Sequence, residues 1–302
     1  MWVELTPTKL WGRPIQTPNY NRLAIDLDKG IDDGIANKPK STPELASKRV
    51  KYGNGLFYIF KTASKTIKLK YKLHHSNKDD YMSSRQALVE PMLCGKVKGT
   101  NTWIMLNTCH MIDSTYPIVA EKEWVVTYTF KEDFEEFQLC LPFGAIMYYI
   151  FVETDKELKL VTPTPLKFGF LGSSVTNMSA LYAASSLTAQ LYRKLGINSC
   201  NLAIPMTNSI VYNKILDIIK IHKEAKWYVL DTMHLCEKNI ENAKKLGIKF
   251  ACIKTRSAKY IFKENYIFEL NDPCFNRDHV HLTTAGAVAF VEKLIPLLKE
   301  DM

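Results

Sequence analysis

No apolar run in the sequence approaches the roughly 20 residues needed to cross a bilayer, so no membrane-spanning helix is expected from it. The opening residues, Met1-Trp-Val-Glu-Leu-Thr-Pro7, have neither a basic segment followed by an apolar run nor a small-residue cleavage site, so no secretory leader is expected. The expected setting is therefore cytoplasmic, with no membrane partner. The seven cysteines include no C-x-x-C pair. An odd number without that spacing argues against a complete disulfide framework and a zinc knuckle, and for reduced, mostly buried thiols. Charge of one sign is not gathered into blocks either. The 40 Lys and Arg against 31 Asp and Glu leave a net charge of +9, but the cations are scattered, with a local concentration only from Lys61 to Lys72. No nucleic-acid-binding motif accompanies them, so no nucleic-acid partner is expected. No pattern in the sequence sets an oligomeric state.

Hydrophobic residues at 46% and charged residues at 24% describe a folding chain, and 302 residues suit two domains. Up to about residue 160 the texture is that of short strands. From Thr66 to Leu73, Ile67, Leu69, Tyr71 and Leu73 alternate with Lys68, Lys70 and Lys72, giving one face to a core and one to water. Leu56 to Phe60, Trp103 to Leu106, Trp124 to Phe130 and Ile146 to Val152 are similar runs, and strands at this spacing predict an antiparallel sandwich. Asp26 to Pro43 lacks a period and is expected to be an irregular loop.

The stiff segment Thr162-Pro-Thr-Pro165 divides this texture from another, placing domains at residues 1–162 and 163–302. Beyond it, strands at Phe168 to Leu171, Cys200 to Ile204, Trp227 to Leu230, Lys249 to Ile253 and Tyr266 to Leu270 alternate with helices. The helices are expected at Met178 to Leu195, Asn208 to His222, Glu237 to Leu246 and from Thr284 onward. This alternation implies an α/β domain with a parallel sheet covered on both faces and a ligand crevice at the strands' C-terminal ends.

Two short segments carry chemistry. Gly172-Ser173-Ser174-Val175-Thr176 lies where the first strand of that sheet turns towards its first helix, which sets the Ser174 hydroxyl at the crevice and its N–H near a helix N-terminus. Taken alone, these are also ordinary turn and cap residues. Asp278-His279-Val280-His281 precedes the last helix. Asp and His three apart can place a carboxylate on one ring nitrogen and leave the other to activate a serine. They could equally be surface residues or the H-x-H part of a metal site, for which no further ligand cluster is visible.

Together the segments resemble the first and last sequence blocks of the SGNH, or GDSL-type, hydrolases. Phe168 to Thr176 is similar to that family's nucleophile strand and turn, Asn201-Leu-Ala-Ile-Pro-Met206 to its second block, and Trp227-Tyr-Val-Leu-Asp231 to its third-block strand. In the first half, Tyr20-Asn-Arg-Leu23, Gly55 to Ser64 and Phe137 to Pro142 resemble the jelly-roll-like β-sandwich that precedes the hydrolase domain in one branch. The resemblance implies a flavodoxin-like hydrolase fold with Ser174 as nucleophile, His281 as its base and Asp278 as the residue orienting His281. It also implies a small acyl ester, such as an acetyl group on a carbohydrate, as substrate, and no cofactor or metal.

Three departures from the family pattern stand out. Ser173 occupies the position of the family's Asp, and Met206 that of a second-block glycine, whose N–H would serve the oxyanion. Leu235 falls where the third block has an oxyanion-binding asparagine, with Asn208 or His234 as candidate substitutes. A weakened enzyme, an acyltransferase with the same triad, or a non-catalytic binding protein that retained the fold all accommodate these departures.

Overall fold

In the computed structural model the chain is described at residues 1–302 except 24, 29–41, 75–90, 107–122, 144, 179–181, 256–265, 271 and 277–279. Most of the stretch expected to form an irregular loop after Asp26 thus lies outside the described residues, and so does Asp278. No helix among the described residues is long and apolar enough to cross a membrane.

The alternating lysine strand forms as its pattern dictates. It is β3 (Thr66–His74), and Ile67, Leu69, Tyr71 and Leu73 are all buried. With β1 (Trp2–Glu4), β6 (Glu123–Thr129) and β8 (Ile146–Thr154) it makes an antiparallel sheet of order β1-β8-β3-β6. A second antiparallel sheet, β5-β4-β7-β2-β9, contains β2 (Phe57–Lys61), β4 (Met92–Val97), β5 (Trp103–Met105), β7 (Phe134–Cys140) and β9 (Lys159–Leu160). Tyr58, Phe60, Phe137 and Leu139 of the second sheet share a core with Leu69, Tyr71, Ile150 and Val152 of the first, which makes a β-sandwich. The alternate residues Phe57, Ile59, Met92, Cys94 and Cys140 face the other way and pack on Trp11, Ala184, Ala189 and Tyr192. At residues 57–60 and 92–94 the second sheet is therefore covered on both faces, and successive residues there are apolar for that reason.

Residues 161–167 lead into the α/β layer. Its sheet contains β10 (Phe168–Leu171), β11 (Ser199–Asn201), β12 (Lys226–Val229), β13 (Lys249–Phe250), β14 (Cys252–Lys254) and β15 (Tyr266–Glu269). β13 and β14 act as one interrupted strand. Ala251 N–H donates to Val229 O at 3.1 Å and Ile253 N–H to Leu230 O at 2.8 Å, so the parallel order runs β11-β10-β12-β13/β14-β15, the flavodoxin-like arrangement. Gly169 in β10 is required by a close approach, because a Cβ there would lie 2.1 Å from the Trp227 ring.

Helices cover both faces. α2 (Leu187–Leu195) and α5 (Thr284–Glu300) pack on Phe168, Phe170 and Tyr228. α3 (Asn213–Ile221) and α4 (Glu237–Lys245) pack on Leu171, Trp227 and Val229, where they are joined by Leu23, Leu27, Ala46 and Val50 from the first half of the chain. Ala46 belongs to α1 (Pro43–Arg49), whose N-cap Thr42 accepts from Leu45 N–H at 3.3 Å.

Three elements differ from their sequence expectation. The helix expected from Met178 begins only at Leu187, because Met178 has φ 53° and closes a separate turn, while a 3₁₀ turn occupies Ala183–Ser185. Its expected end at Gly196 holds, in the left-handed conformation. The strand expected at Cys200 to Ile204 ends at Asn201; Leu202 N–H and Ile204 N–H still donate to Phe170 O and Gly172 O, and the chain then turns at Pro205 and Met206. The helix expected from Asn208 divides into a 3₁₀ turn, Ser209–Val211, and α3, because the Asn208 side chain caps the short turn by accepting from Ile210 N–H at 3.3 Å.

Candidate active site

Ser174 and His281, 107 residues apart in sequence, meet at the C-terminal edge of the parallel sheet. Ser174 Oγ lies 2.9 Å from His281 Nε2, and both residues are buried. For Nε2 to accept the serine proton the imidazole must carry its own proton on Nδ1. Asp278, expected on that second nitrogen, lies outside the described residues.

Ser174 is carried by a turn, Ser173 to Met178, closed by Asn177 N–H on Ser173 O at 2.9 Å and Met178 N–H on Val175 O at 3.0 Å. Among the described residues the next helix begins at Leu187, so Ser174 sits in a separate turn and not at that helix's N-terminus. A buried carboxylate organises the turn instead. Asp231, at the end of β12, accepts on Oδ2 from Ser173 N–H (2.8 Å), Thr176 N–H (3.2 Å) and the Thr176 hydroxyl (2.6 Å), and on Oδ1 from Met233 N–H (3.2 Å). The glycine before the turn is a consequence. A Cβ on Gly172 would stand 2.5 Å from Asp231 Oδ2 and 2.1 Å from Thr176 Oγ1.

His281 is held by the start of α5. The N-cap Thr283 accepts from Gly286 N–H at 3.1 Å and donates its hydroxyl proton to Cys274 O at 2.7 Å, while Thr283 N–H donates to Phe275 O at 3.0 Å. An isolated bridge between Asn276 and Leu282 completes the attachment, so the chain on the far side of His281 is fixed at two successive residues.

The loop after β11 runs beside the turn that carries Ser174. Leu202 N–H donates to Phe170 O at 2.8 Å, Ile204 N–H to Gly172 O at 3.1 Å, and Ser209 N–H to Gly172 O at 3.0 Å. Met206 follows with φ 68°, a left-handed conformation that favours glycine. Side-chain amides join the two segments further. Asn201 Nδ2 donates to Thr176 O at 2.8 Å, Asn177 Nδ2 to Ala203 O at 2.9 Å, and Asn54 Nδ2 to Asn177 Oδ1 at 2.9 Å. Met178, Met206 and His234 are the non-glycine residues with positive φ among the described residues, and each sits in a loop at this one edge of the sheet, after β10, β11 and β12 respectively. Strained backbone gathered in this way is characteristic of functional sites.

One expected oxyanion donor, and the position at which the family pattern would put another, need correction. Asn208 is fully buried and its Nδ2 donates to Asp231 O and Met233 O, both at 3.1 Å, so its amide ties two loops together and has no hydrogen left for a substrate. Leu235 does not face the crevice at all. It is 0% exposed and packs in the core with Leu171, Ile210 and Ile240, so an asparagine there would be buried among apolar side chains. His234 lies half-buried in the loop after β12.

No protein-family model matches the sequence, and no curated protein does. Its likeness is structural. A solved structure designated a GDSL-like lipase, from Bacteroides ovatus, is 16% identical and aligns over 100% of this chain and 97% of its own, with a TM-score of 0.70. The fold is that of the SGNH hydrolases. A salicylyl-acyltransferase from a tetracycline biosynthetic pathway is similar at 15% identity, over 97% of this chain and 95% of its own, with a TM-score of 0.51.

On the SGNH fold, Asp231 is the functional-edge residue that sequence reasoning passed over. It was visible only as the last residue of a third-block strand. The available signal was an acidic residue directly after the apolar run Trp227-Tyr-Val-Leu230, at a strand end where a parallel sheet opens its crevice.

Proposed function

We propose that the chain is a serine esterase of the SGNH type, acting through an acyl-serine intermediate. The observation that carries this reading is the 2.9 Å contact between Ser174 Oγ and His281 Nε2 in an otherwise buried setting. At that separation the imidazole takes the hydroxyl proton as Ser174 attacks the ester carbonyl, and returns it to the leaving alcohol. Asp278 is assigned to His281 Nδ1, where it stabilises the imidazolium without taking its proton. The oxyanion is assigned to the backbone N–H groups of Ser174 and Met206, with His234 the remaining side-chain candidate. Loss of one donor typically lowers the rate by about 10²–10³-fold, so a slow esterase is expected. The mechanism needs no metal or organic cofactor. A small acyl group such as acetyl, carried on a carbohydrate, is the substrate that the resemblance to the two-domain branch implies.

A non-catalytic binding protein is the second reading, favoured by Leu235 lying in the core and by the Asn208 amide being fully occupied. Hydrolysis of a short-chain aryl acetate by the wild type and by Ser174→Ala separates the two. The esterase reading expects the substitution to lower turnover by about 10³-fold or more. Turnover that is equal in both proteins, or absent from folded wild type, overturns it. An added alcohol that diverts the acyl group from water would identify acyl transfer at the same serine.

A further inference from the structure

Two arginines from the first half of the chain are buried against the loop after β11. Arg22, 1% exposed, donates from Nη1 to Asn201 O at 2.8 Å and from Nη2 to Ala203 O at 3.2 Å. Arg49, the last residue of α1 and 5% exposed, donates from Nη1 to Pro205 O at 2.8 Å. Three alternate carbonyls, those of residues 201, 203 and 205, therefore face arginine. The intervening amides face the other way, as Leu202 N–H reaches Phe170 O and Ile204 N–H reaches Gly172 O. Beyond this ladder the chain turns, and the first amide in the turn that follows Pro205 is Met206 N–H, which the esterase reading assigns to the oxyanion.

The peptide that presents this N–H is in an uncommon state. Thr207 N–H donates to Ile204 O at 3.4 Å, closing a β-turn with Pro205 and Met206 at its centre. Proline fixes a negative φ at the first central position, and Met206 has φ 68° at the second, so the turn is type II. A methionine favours type I, in which φ at that position is negative and the central peptide is rotated by about half a turn. Because the peptide is planar and trans, its C=O and N–H point in opposite directions. Rotation to type I would carry Pro205 O away from Arg49 and turn Met206 N–H to the opposite side of the turn.

We propose that Arg49 is a positioning residue for the oxyanion site, holding the Pro205–Met206 peptide in its type II orientation through the hydrogen bond to Pro205 O. The inference rests on the esterase reading and on Met206 N–H as an oxyanion donor. The guanidinium also polarises the peptide it binds, because a charged donor on the carbonyl makes the N–H on the other side a stronger donor. The fold supplies the reason for the glycine's loss, since an arginine that holds the turn makes a glycine at its second position dispensable.

The test is a double-mutant cycle on the full chain with a short-chain aryl acetate. Arg49→Met, Met206→Gly and the double substitution are compared, with active sites counted by titration of Ser174 with an organophosphonate. Arg49→Met should lower kcat per titrated site by about 10–100-fold and leave KM within about threefold. Met206→Gly, which removes the methionine's preference for type I, should recover most of that loss in the Arg49→Met background. Arg49→Lys, which keeps a charged donor, should lie between wild type and Arg49→Met, and it serves in place of Arg49→Met if that protein does not fold. A purely structural arginine would lower the melting temperature and the number of titratable sites while leaving kcat per site and the cycle unchanged, and that result overturns the proposal. So does an equal loss from Arg49→Met with methionine or glycine at position 206. Wild type without Ser174-dependent turnover overturns the esterase reading itself and this inference with it, whereas active wild type with fully active Arg49→Met overturns this inference alone.

Discussion

Replacing Asp231 by asparagine changes one atom and tests how the nucleophile turn is held. Three donors converge on Oδ2 and one on Oδ1, all in a residue that is 1% exposed. If the asparagine oxygen keeps the three donors of the turn, its NH₂ must face Met233 N–H, donor against donor. A buried group left unpaired costs about 1–3 kcal/mol, and each of the other three bonds, changed from charge-assisted to neutral, weakens by about 1 kcal/mol. The neutral amide regains part of the cost of burying a carboxylate, which leaves a net loss of about 2–4 kcal/mol. Denaturant unfolding at fixed pH measures this as a lowered midpoint. The turn carries Ser174, so the activity should fall as well. A displacement of about 1 Å at the reacting oxygen is enough for roughly 10²-fold in kcat. Asp231→Asn with a midpoint equivalent to less than about 0.5 kcal/mol of change and with full kcat would refute the reasoning.

The remaining predictions concern residues around the same edge. Leu235→Asn should not restore an oxyanion donor. It removes a fully buried leucine and buries an amide in its place, so unfolding experiments should show a loss of about 3–5 kcal/mol with no gain in kcat. Thr283→Ala removes the cap of α5 and the hydroxyl bond to Cys274 O. It should lower stability by about 1–2 kcal/mol in thermal or chemical unfolding and reduce the fraction of chains in which Ser174 is titratable.

The elements legible in the sequence are those whose pattern answers to one neighbour at a time. β3 has a single covered face, and its alternation of lysines with apolar residues shows both its conformation and its orientation. The five parallel strand segments show as short apolar runs between helical stretches, and the Gly196 cap fixes the end of α2. Ser174 and His281 were legible because each stands next to a local marker, the first beside glycine at a strand end and the second before a capped helix. What was not legible depends on contacts between segments far apart. The helix expected at Met178 is displaced because the turn before it is held by Asp231, 55 residues away at its nearest bond. Leu235 stands where the resemblance puts an asparagine, but its side chain follows the core, and only packing decides which way it faces. The amide hydrogens that make Asn208 a candidate in the sequence are used by carbonyls of the loop after β12.

The division of the chain by texture also conceals how the site is made. Leu23, Leu27, Ala46 and Val50 precede the sandwich strands β2 to β9, yet they fill the core beneath α3 and α4. With them come Arg22, Arg49 and Asn54, whose polar groups reach the loop after β11 and the nucleophile turn. Burial draws the Arg22 pKa down to about 10, so holding this charge inside the protein carries a cost that its carbonyl contacts must offset. A leucine would fill the space more cheaply, but it could not fix the direction of a carbonyl. Arginine satisfies several carbonyls at once in a planar fork, and here those carbonyls belong to alternate residues of a loop whose opposite edge lies along β10 and the chain leading to Ser174. The first half of the chain thus fixes which side of this loop its carbonyls, and with them its intervening N–H groups, occupy, without itself entering the proposed site.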